Sequence, residues 1–214
     1  ELERPVSNVV FMGMGEPLAN YESTWEAVHR LHDDLGIGAR HLTLSTVGLV
    51  PGIRRLASAD LPVNLAVSLH AADDELRDEL VPINRRYPLH ALEEACADYV
   101  RATHRRLSFE WAMISGVNDR FVDAERLAGL ARRLRAHVNL IPLNATPGYA
   151  VRGSSRNRVH AFAEDLRDRG VNVTIRATRG SDIDAAGGQL RAGHAAPPLP
   201  APRRRPMPDP ATWT

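Results

Sequence analysis

The sequence predicts an α/β fold built on a parallel sheet. Short apolar and β-branched runs alternate with amphipathic stretches, and several runs are apolar at nearly every position, as in strands that helices cover. The 214 residues, of which 43% are hydrophobic, can bury one core but not two large domains. Because strand and helix alternate, we expect right-handed crossovers in either an open doubly wound sheet or an incomplete (β/α) barrel.

The first part of the chain predicts a strand, a helix and a second strand. Val6–Phe11 is rich in valine, ends in phenylalanine and is followed closely by two glycines. Tyr21–Leu35 carries apolar residues at helical spacing, with Trp25 and Val28 on one face. His41–Ser45 is the second strand.

Three further elements precede residue 81. Pro51 suits the first turn of a short helix, because its missing N–H has no partner to lose there. Val63–Leu69 is nearly continuous in apolar residues and predicts a buried strand. Asp73–Leu80 predicts a short helix with an acidic cap.

The second half continues the same alternation of strands and helices. Its helical segments carry apolar residues three and four positions apart, and Gly170 suits the end of the last one. In chain order, the predicted elements are helix Leu89–Thr103, strand Leu107–Ile114, helix Phe121–Arg133, strand Val138–Pro142, helix Ser155–Arg169 and strand Val171–Arg176.

Polar side chains follow the predicted strands at their carboxyl ends. In parallel sheets of both kinds, ligands bind at this edge. The polar residues are Glu16, Ser45, Thr46, Ser68, His70, Glu110, Asn144, Arg176 and Arg179. The sequence therefore predicts a ligand site at this edge of the sheet.

Each of these residues also has a simpler interpretation. Gly13 and Gly15 would let the backbone approach a ligand whose cationic group meets Glu16, but the same residues can form an ordinary tight turn. A hydroxyl at a strand end caps the following helix more often than it binds a ligand. His70 is either a general base or a structural histidine.

Composition argues against several function classes for the sequence as given. No stretch approaches the roughly 18 apolar residues of a membrane span, and Glu1–Pro5 lacks the features of a secretion signal. The one cysteine, Cys96, cannot by itself hold zinc or an iron–sulfur cluster, and we expect it in the core. Residues 191–214 are rich in proline and arginine and predict a disordered tail, so we expect the core domain to span residues 1–190.

Seven segments together resemble the RlmN family, the radical S-adenosylmethionine methyltransferases that act on adenine C-2 in 23S rRNA and tRNA. The similarity runs in order from Asn8 to Leu190 with compatible spacing. The segments are Asn8–Glu16 with Pro17, Thr43–Thr46, Ser68–His70, Arg77–Asn84, Asn139–Asn144, Arg152–Ser155 and Thr178–Leu190.

This resemblance implies a partial (β/α) barrel of the radical S-adenosylmethionine type, with S-adenosylmethionine and a [4Fe-4S] cluster at the strand ends. By motif position, Gly15 and Glu16 would meet the methionyl amino end of the cofactor. The residues that would line the rest of it are Ser45, Ser68, Leu69, His70 and Asn144. The resemblance also implies 23S rRNA and tRNA as substrates, an external reductant such as flavodoxin, a monomer, no membrane association and a cytoplasmic location.

The chain departs from the family pattern in two places. The family holds its cluster with a Cys-x3-Cys-x2-Cys loop on the strand before Gly13. We therefore expect an N-terminally truncated fragment that lacks the first strand and the preceding accessory domain and is inactive alone. The family's methyl-carrying cysteine corresponds to Gly187, which has no side chain to methylate.

Two other functions stay open on the sequence. The glycine at position 187 favours a non-catalytic remnant that binds S-adenosylmethionine or RNA, and arginines concentrated in residues 152–179 would suit phosphate. An unrelated barrel lyase or isomerase would use Glu16 and His70 as acid and base.

Overall fold

Six parallel strands form one sheet in a computed structural model of the chain, which describes residues 6–13, 15–143 and 152–176. The strands are β1 (Val9–Phe11), β2 (Leu42–Thr46), β3 (Asn64–Ser68), β4 (Leu107–Met113), β5 (His137–Pro142) and β6 (Val173–Ile175). The helices are α1 (Tyr21–Asp33), α2 (Val50–Ala57), α3 (Asp74–Leu80), α4 (Leu89–Thr103), α5 (Phe121–Leu134) and α6 (Arg156–Asp168). The α/β class and the parallel sheet are confirmed.

The order of the strands decides between the two architectures left open by the sequence. The strands lie side by side in chain order, from β1 to β6, and every neighbouring pair is parallel. A doubly wound sheet reverses its order at a switch point, and this sheet does not. Right-handed crossovers that always advance in one direction place every helix on the same face. The fold is therefore a partial (β/α) barrel.

The two faces of the sheet differ in chemistry. On β4, Leu107, Phe109 and Trp111 are no more than 1% exposed, and Trp111 stacks on Phe162 of α6 with ring centres 6.2 Å apart. The other face lines a cleft of about 400 Å³ with polar side chains, among them Ser108 of β4. Apolar residues thus fill the layer between sheet and helices, while the inner face of the barrel is polar.

The helix ends follow the local chemistry that the sequence predicts. Asp73 precedes α3 and accepts a hydrogen bond from the backbone N–H of Leu76 at 2.9 Å. Ser155 caps α6 by accepting from the N–H of Arg158. Gly170 follows α6 with φ of +80°, a conformation that favours glycine at a helix end. These caps explain why the predicted bounds of both helices lie within one residue of the observed ones.

Several predicted features lie outside the described residues. They are Asn144, the loop Thr178–Leu190 with Gly187, the domain end at residue 190 and the tail 191–214. Among the described helices, none has the length and apolar character that crossing a membrane requires.

Gly52 of α2 packs closely against the turn that follows Glu16. We expect that replacing this glycine destabilises the fold. A Cβ on Gly52 would meet Cβ of Leu18 at 2.6 Å, so Gly52→Ala must displace the 3-10 turn Pro17–Asn20. We expect a loss of about 1–3 kcal/mol in the free energy of unfolding, measured by urea titration.

Gly129→Ala on α5 is the matched control. Its Cβ would meet only the end of the Arg133 side chain, at 3.5 Å, so we expect a gain of about 0.5–1 kcal/mol from helix propensity. Equal effects of the two substitutions on the free energy of unfolding would contradict the close packing of Gly52 against Leu18.

Candidate functional site

The carboxyl ends of β1, β2 and β3 meet around a small cleft of about 80 Å³. Gly15 and Glu16 after β1, Ser45 on β2 and Ser68 on β3 all line this cleft. The register of the sheet places the two serines near each other, because Ser45 of β2 pairs with Ala66 of β3, two residues before Ser68. Four of the residues that the sequence predicts to bind a ligand therefore lie together.

Glu16 is held in place by two backbone amides. Its Oε1 accepts a hydrogen bond from the N–H of Leu18 at 3.0 Å, and its Oε2 accepts from the N–H of Val47 at 2.8 Å. A carboxylate oxygen has more than one acceptor site, so each can still accept from a ligand. Gly15 has φ of +121°, which side chains rarely adopt, and apart from its chain neighbours no atom of the described residues lies within 4 Å of the position of a Cβ. The first strand end thus presents an ordered carboxylate beside open backbone.

The hydroxyls at the strand ends divide between the two expected roles. Thr46 Oγ1 accepts hydrogen bonds from the N–H groups of Gly48 and Leu49, so the capping interpretation is correct for this residue. Neither Ser45 nor Ser68 makes a side-chain hydrogen bond within the described residues. Ser45 is only 7% exposed and lines the strand-end cleft, as Ser68 does. The two serines are therefore the hydroxyls available to a ligand.

His70 follows β3 in a left-handed conformation, with φ of +57°. Its Nδ1 accepts a hydrogen bond from the backbone N–H of Ala112 at 3.1 Å, which assigns the ring proton to Nε2. Burial and, to a smaller extent, the positive charge of Arg77 lower the pKa of His70 to about 4. At neutral pH the ring is uncharged and offers an Nε2–H donor, which favours hydrogen bonding to a ligand over a general-base role.

The low pKa of His70 should make the stability of the fold depend on pH. The pKa lies at about 4 in the folded state and near 6.5 in the unfolded chain, so unfolding takes up a proton between these values. The stabilisation is complete above pH 6.5 and falls as the pH drops towards 4, by up to about 3 kcal/mol.

This dependence is measured by urea unfolding at several pH values between 4.5 and 7. His70→Gln keeps an acceptor for Ala112 and should flatten the profile, whereas His90→Gln at an exposed position of α4 should leave it unchanged. Parallel profiles for all three proteins would contradict the assignment of a buried, neutral His70.

Sequence reasoning missed Asn118, which is fully buried in the connection between β4 and α5. Its Nδ2 donates to the carbonyl oxygens of His70 and Ala112, both at 2.8 Å, and its Oδ1 accepts from the N–H of Ile114. Asn118 thus fixes the backbone at His70. Glycine and asparagine within a few residues, as in Gly116-Val117-Asn118, are typical of any turn, so the sequence held no signal for this role.

Cys96 lies in the core, as the sequence predicts. It is 0% exposed on α4, and burial raises the pKa of its thiol to about 12, so it stays protonated. In the described part of the chain, no three histidine, cysteine or acidic side chains group closely enough to hold a metal ion.

A second group of predicted strand-end residues meets on the inner face of the barrel. Glu110 of β4 is 3% exposed, and its Oε1 accepts a hydrogen bond from Asn139 of β5 at 2.7 Å. Its Oε2 lies 3.6 Å from Nη1 of Arg176, which follows β6. The same Nη1 lies 3.3 Å from the sulfur of Met12, after β1. Arg176 therefore reaches across the open side of the barrel.

Comparison with known proteins gives one consistent group of relatives. No protein-family model matches the chain. It is 58% identical over 191 residues to a protein of Parafrankia sp. (strain EAN1pec) named probable dual-specificity RNA methyltransferase RlmN, covering 87% of this chain and 50% of the relative. It is 52% identical over 200 residues to the protein of the same name from Chloroflexus aurantiacus, covering 90% of this chain and 53% of the relative.

Solved structures agree with these relatives. A radical SAM methyltransferase from Sphaerobacter thermophilus matches with a TM-score of 0.82 and 52% identity, over 87% of this chain and 55% of that one. A domain of a pyruvate-formate lyase-activating enzyme from Bacteroides vulgatus ATCC 8482 shares the fold, with a TM-score of 0.61 at 19% identity over 80% of this chain and 100% of that one. The chain spans about half the length of the curated relatives it matches.

Proposed function

The chain belongs to the RlmN family of radical S-adenosylmethionine methyltransferases, and from this premise we propose that the whole protein methylates C-2 of adenine in 23S rRNA and tRNA. The strand-end cleft would bind S-adenosylmethionine. The observation that carries this proposal is the ordered Glu16 carboxylate beside the open backbone of Gly15.

The residues present fit S-adenosylmethionine. Its amino group is cationic, and Glu16 offers charged acceptor oxygens that two backbone amides already orient. Its hydroxyls and ring nitrogens need neutral donors and acceptors, which Ser45 and Ser68 in the cleft and the Nε2–H of His70, two residues beyond Ser68, would supply. Two further residues would line the cofactor by motif position, Leu69 and Asn144.

In this assignment, the protein orients the cofactor and excludes water. When bound, S-adenosylmethionine supplies the methyl group and, in the radical enzymes, the radical chemistry. Glu16 holds the amino end, and the buried Ser45 and Leu69 keep solvent away from the strand ends. His70 stays neutral, so it donates a hydrogen bond without adding positive charge beside a sulfonium.

The residues of this chain do not fit a [4Fe-4S] cluster. Such a cluster needs three or four thiolates, and the one cysteine is a protonated core residue of α4. Cluster binding in the whole protein would depend on the Cys-x3-Cys-x2-Cys loop that the family resemblance implies outside this sequence. The 52% identity to a radical SAM methyltransferase of solved structure supports the cluster in the whole protein.

A second candidate function is a non-catalytic module that binds S-adenosylmethionine or RNA. Gly187 is the specific observation that favours it, because a methyl carrier needs a sulfur at that position. The substrates, a monomeric state, a cytoplasmic location and an external reductant such as flavodoxin remain parts of the proposal, as does a disordered tail over residues 191–214.

Calorimetric titration of S-adenosylmethionine into the anaerobically reconstituted full-length gene product tests the proposal. Saturable binding with one cofactor per cleft supports it, and Ser45→Ala together with Ser68→Ala should weaken that binding. No binding to a folded protein with its cluster in place would contradict both the methyltransferase and the cofactor-binding remnant.

A further inference from the structure

Arg77 on α3 is completely buried, although it carries a guanidinium group. Its Nε donates a hydrogen bond to the carbonyl of Leu69 at 3.2 Å, and its Nη2 donates to the carbonyl of Val47 at 2.8 Å and reaches that of Ser68 at 3.4 Å. Its Nη1 donates to Oδ1 of Asn84 at 2.9 Å. Three of its four acceptors are therefore backbone carbonyls at the ends of β2 and β3.

The carboxylates of Asp74 and Asp78 make no hydrogen bond to Arg77 themselves; they are linked to it through Asn84, and their negative charges also favour its charged form. The Nδ2 of Asn84 donates to Oδ1 of Asp74 at 2.9 Å and to Oδ1 of Asp78 at 2.7 Å, while its own oxygen accepts from Arg77. Burial lowers the pKa of Arg77 to about 10, so the group remains charged at neutral pH. A buried charge is costly unless its hydrogen bonds are satisfied, and here neutral oxygens at the strand ends satisfy them.

The contacts of Arg77 continue to Glu16. The carbonyl of Val47 accepts from Arg77, and the N–H of the same residue donates to Oε2 of Glu16. Gly48 has φ of +105°, and a Cβ there would lie 3.1 Å from Nη2 of Arg77. Only glycine combines this turn with the close approach of the guanidinium. One side chain thus connects the ends of three strands, β1 through Val47 and Glu16, and β2 and β3 directly.

We propose that Arg77 is a positioning residue for the strand-end cleft: it holds the loops that carry Glu16, Ser68 and His70 in the arrangement that binds S-adenosylmethionine. This inference rests on the proposed function and assigns a role to a residue that does not line the cleft itself. If Arg77 only stabilised the core, its replacement would lower the stability of the fold without a particular effect on the cleft. The two roles therefore predict different results in the measurements below.

The first measurement does not depend on the cofactor. Hydrogen–deuterium exchange of the full-length protein is compared with that of Arg77→Gln and Leu127→Ala, since Leu127 is a fully buried residue of α5. In Arg77→Gln, peptides containing Val47–Leu49 and Leu69–Ala71 should exchange at least tenfold faster, while peptides of β5 keep their protection. Leu127→Ala should raise exchange broadly without singling out the strand ends.

The second measurement is the affinity for S-adenosylmethionine by calorimetry. We expect Arg77→Gln to bind S-adenosylmethionine about tenfold more weakly than the wild type. Leu127→Ala should bind as the wild type does, even where its melting temperature falls as far as that of Arg77→Gln. Arg77→Lys should stay weak, because one ammonium group cannot reach carbonyls on two loops in the planar geometry of a guanidinium. Guanidinium ion at low millimolar concentration should restore binding to Arg77→Ala and not to Glu16→Ala.

The outcomes separate the two proposals. If the wild-type protein does not bind S-adenosylmethionine, the proposed function fails, and the exchange data still decide whether Arg77 orders the strand ends. If the wild type binds and Arg77→Gln binds equally well, the positioning role is overturned. Should Arg77→Gln not fold, Gly48→Ala takes its place, because its Cβ would lie 3.1 Å from the same Nη2 and must shift it, and because the loop at Val47 is strained by a side chain at φ of +105°; we expect weaker binding.

Discussion

A full-length protein with glycine at position 187 is expected to form no 2-methyladenine in RNA, and Gly187→Cys should be necessary for any product to appear. The family resemblance places a methyl-carrying cysteine at this position. The carrier must hold a sulfur-bound carbon between the cofactor and the adenine edge, and glycine offers neither a nucleophile nor the atoms to reach. Compared with the family's cysteine, glycine at position 187 removes atoms and adds none. We therefore expect the glycine form to bind S-adenosylmethionine.

Mass spectrometry of 23S rRNA and tRNA fragments measures this after incubation with reconstituted protein, a reductant and S-adenosylmethionine. Gly188 follows Gly187, so the restored cysteine would sit in a backbone with unusual conformational freedom and turnover should stay low. 2-Methyladenine formed by the glycine protein would show that another residue carries the methyl group. Absence of product from a cysteine form that binds the cofactor would favour the non-catalytic module.

Removing the Glu16 carboxylate is expected to weaken S-adenosylmethionine binding by about 1.5–3 kcal/mol, which corresponds to roughly 10- to 150-fold. The contact would be a charge-assisted hydrogen bond to the amino group. Glu16→Ala also deletes the acceptors for the N–H groups of Leu18 and Val47, so the loss combines ligand contact with loop order.

Glu16→Gln separates these two contributions. Glutamine keeps one acceptor oxygen for the backbone amides but lacks the negative charge, so its affinity should fall nearly as far as that of Glu16→Ala if charge dominates. Glu22→Ala on α1 is the surface control, because Glu22 contacts Arg55 rather than the cleft. Calorimetry gives the affinities and thermal melting confirms the fold; unchanged affinity in Glu16→Ala would remove this residue from the site.

Local sequence signals predicted the elements of the fold well. The observed bounds of α4 equal the predicted Leu89–Thr103; Pro88, in extended conformation, precedes the first turn, and His104, with φ of +54°, ends the helix. The first strand begins at Val9 rather than Val6, since only Val9–Phe11 pair with β2 and Val6 is 54% exposed. The length of this strand thus depends on how many of its residues pair with β2. The spacing of apolar residues within one segment does not indicate that number.

The candidate site was predictable only in part for the same reason. Strand ends can be located from the sequence, and Glu16, Ser45 and Ser68 were found in this way. Arg77 lies in an acidic, amphipathic helix, where an arginine usually faces solvent, and its acceptors are carbonyl groups that every residue possesses. Because any residue can accept a hydrogen bond through its backbone carbonyl, the sequence does not reveal the partners of Arg77. They are seen only in the folded structure.

The unbroken sequential order of the strands has a consequence for how this chain acquires its structure. Each strand finds its partner within one crossover of sequence, so β2 can pair with β1 as soon as α1 has formed, and each later unit adds to an existing edge. Each pairing still closes a loop of a whole crossover, so every added strand costs more loop-closure entropy than a hairpin would, and parallel sheets fold slowly for this reason. During synthesis we therefore expect the described strands to join the sheet in the order in which they are made, so that β6, with Arg176 behind it, pairs with β5 only when β1 to β5 are in place.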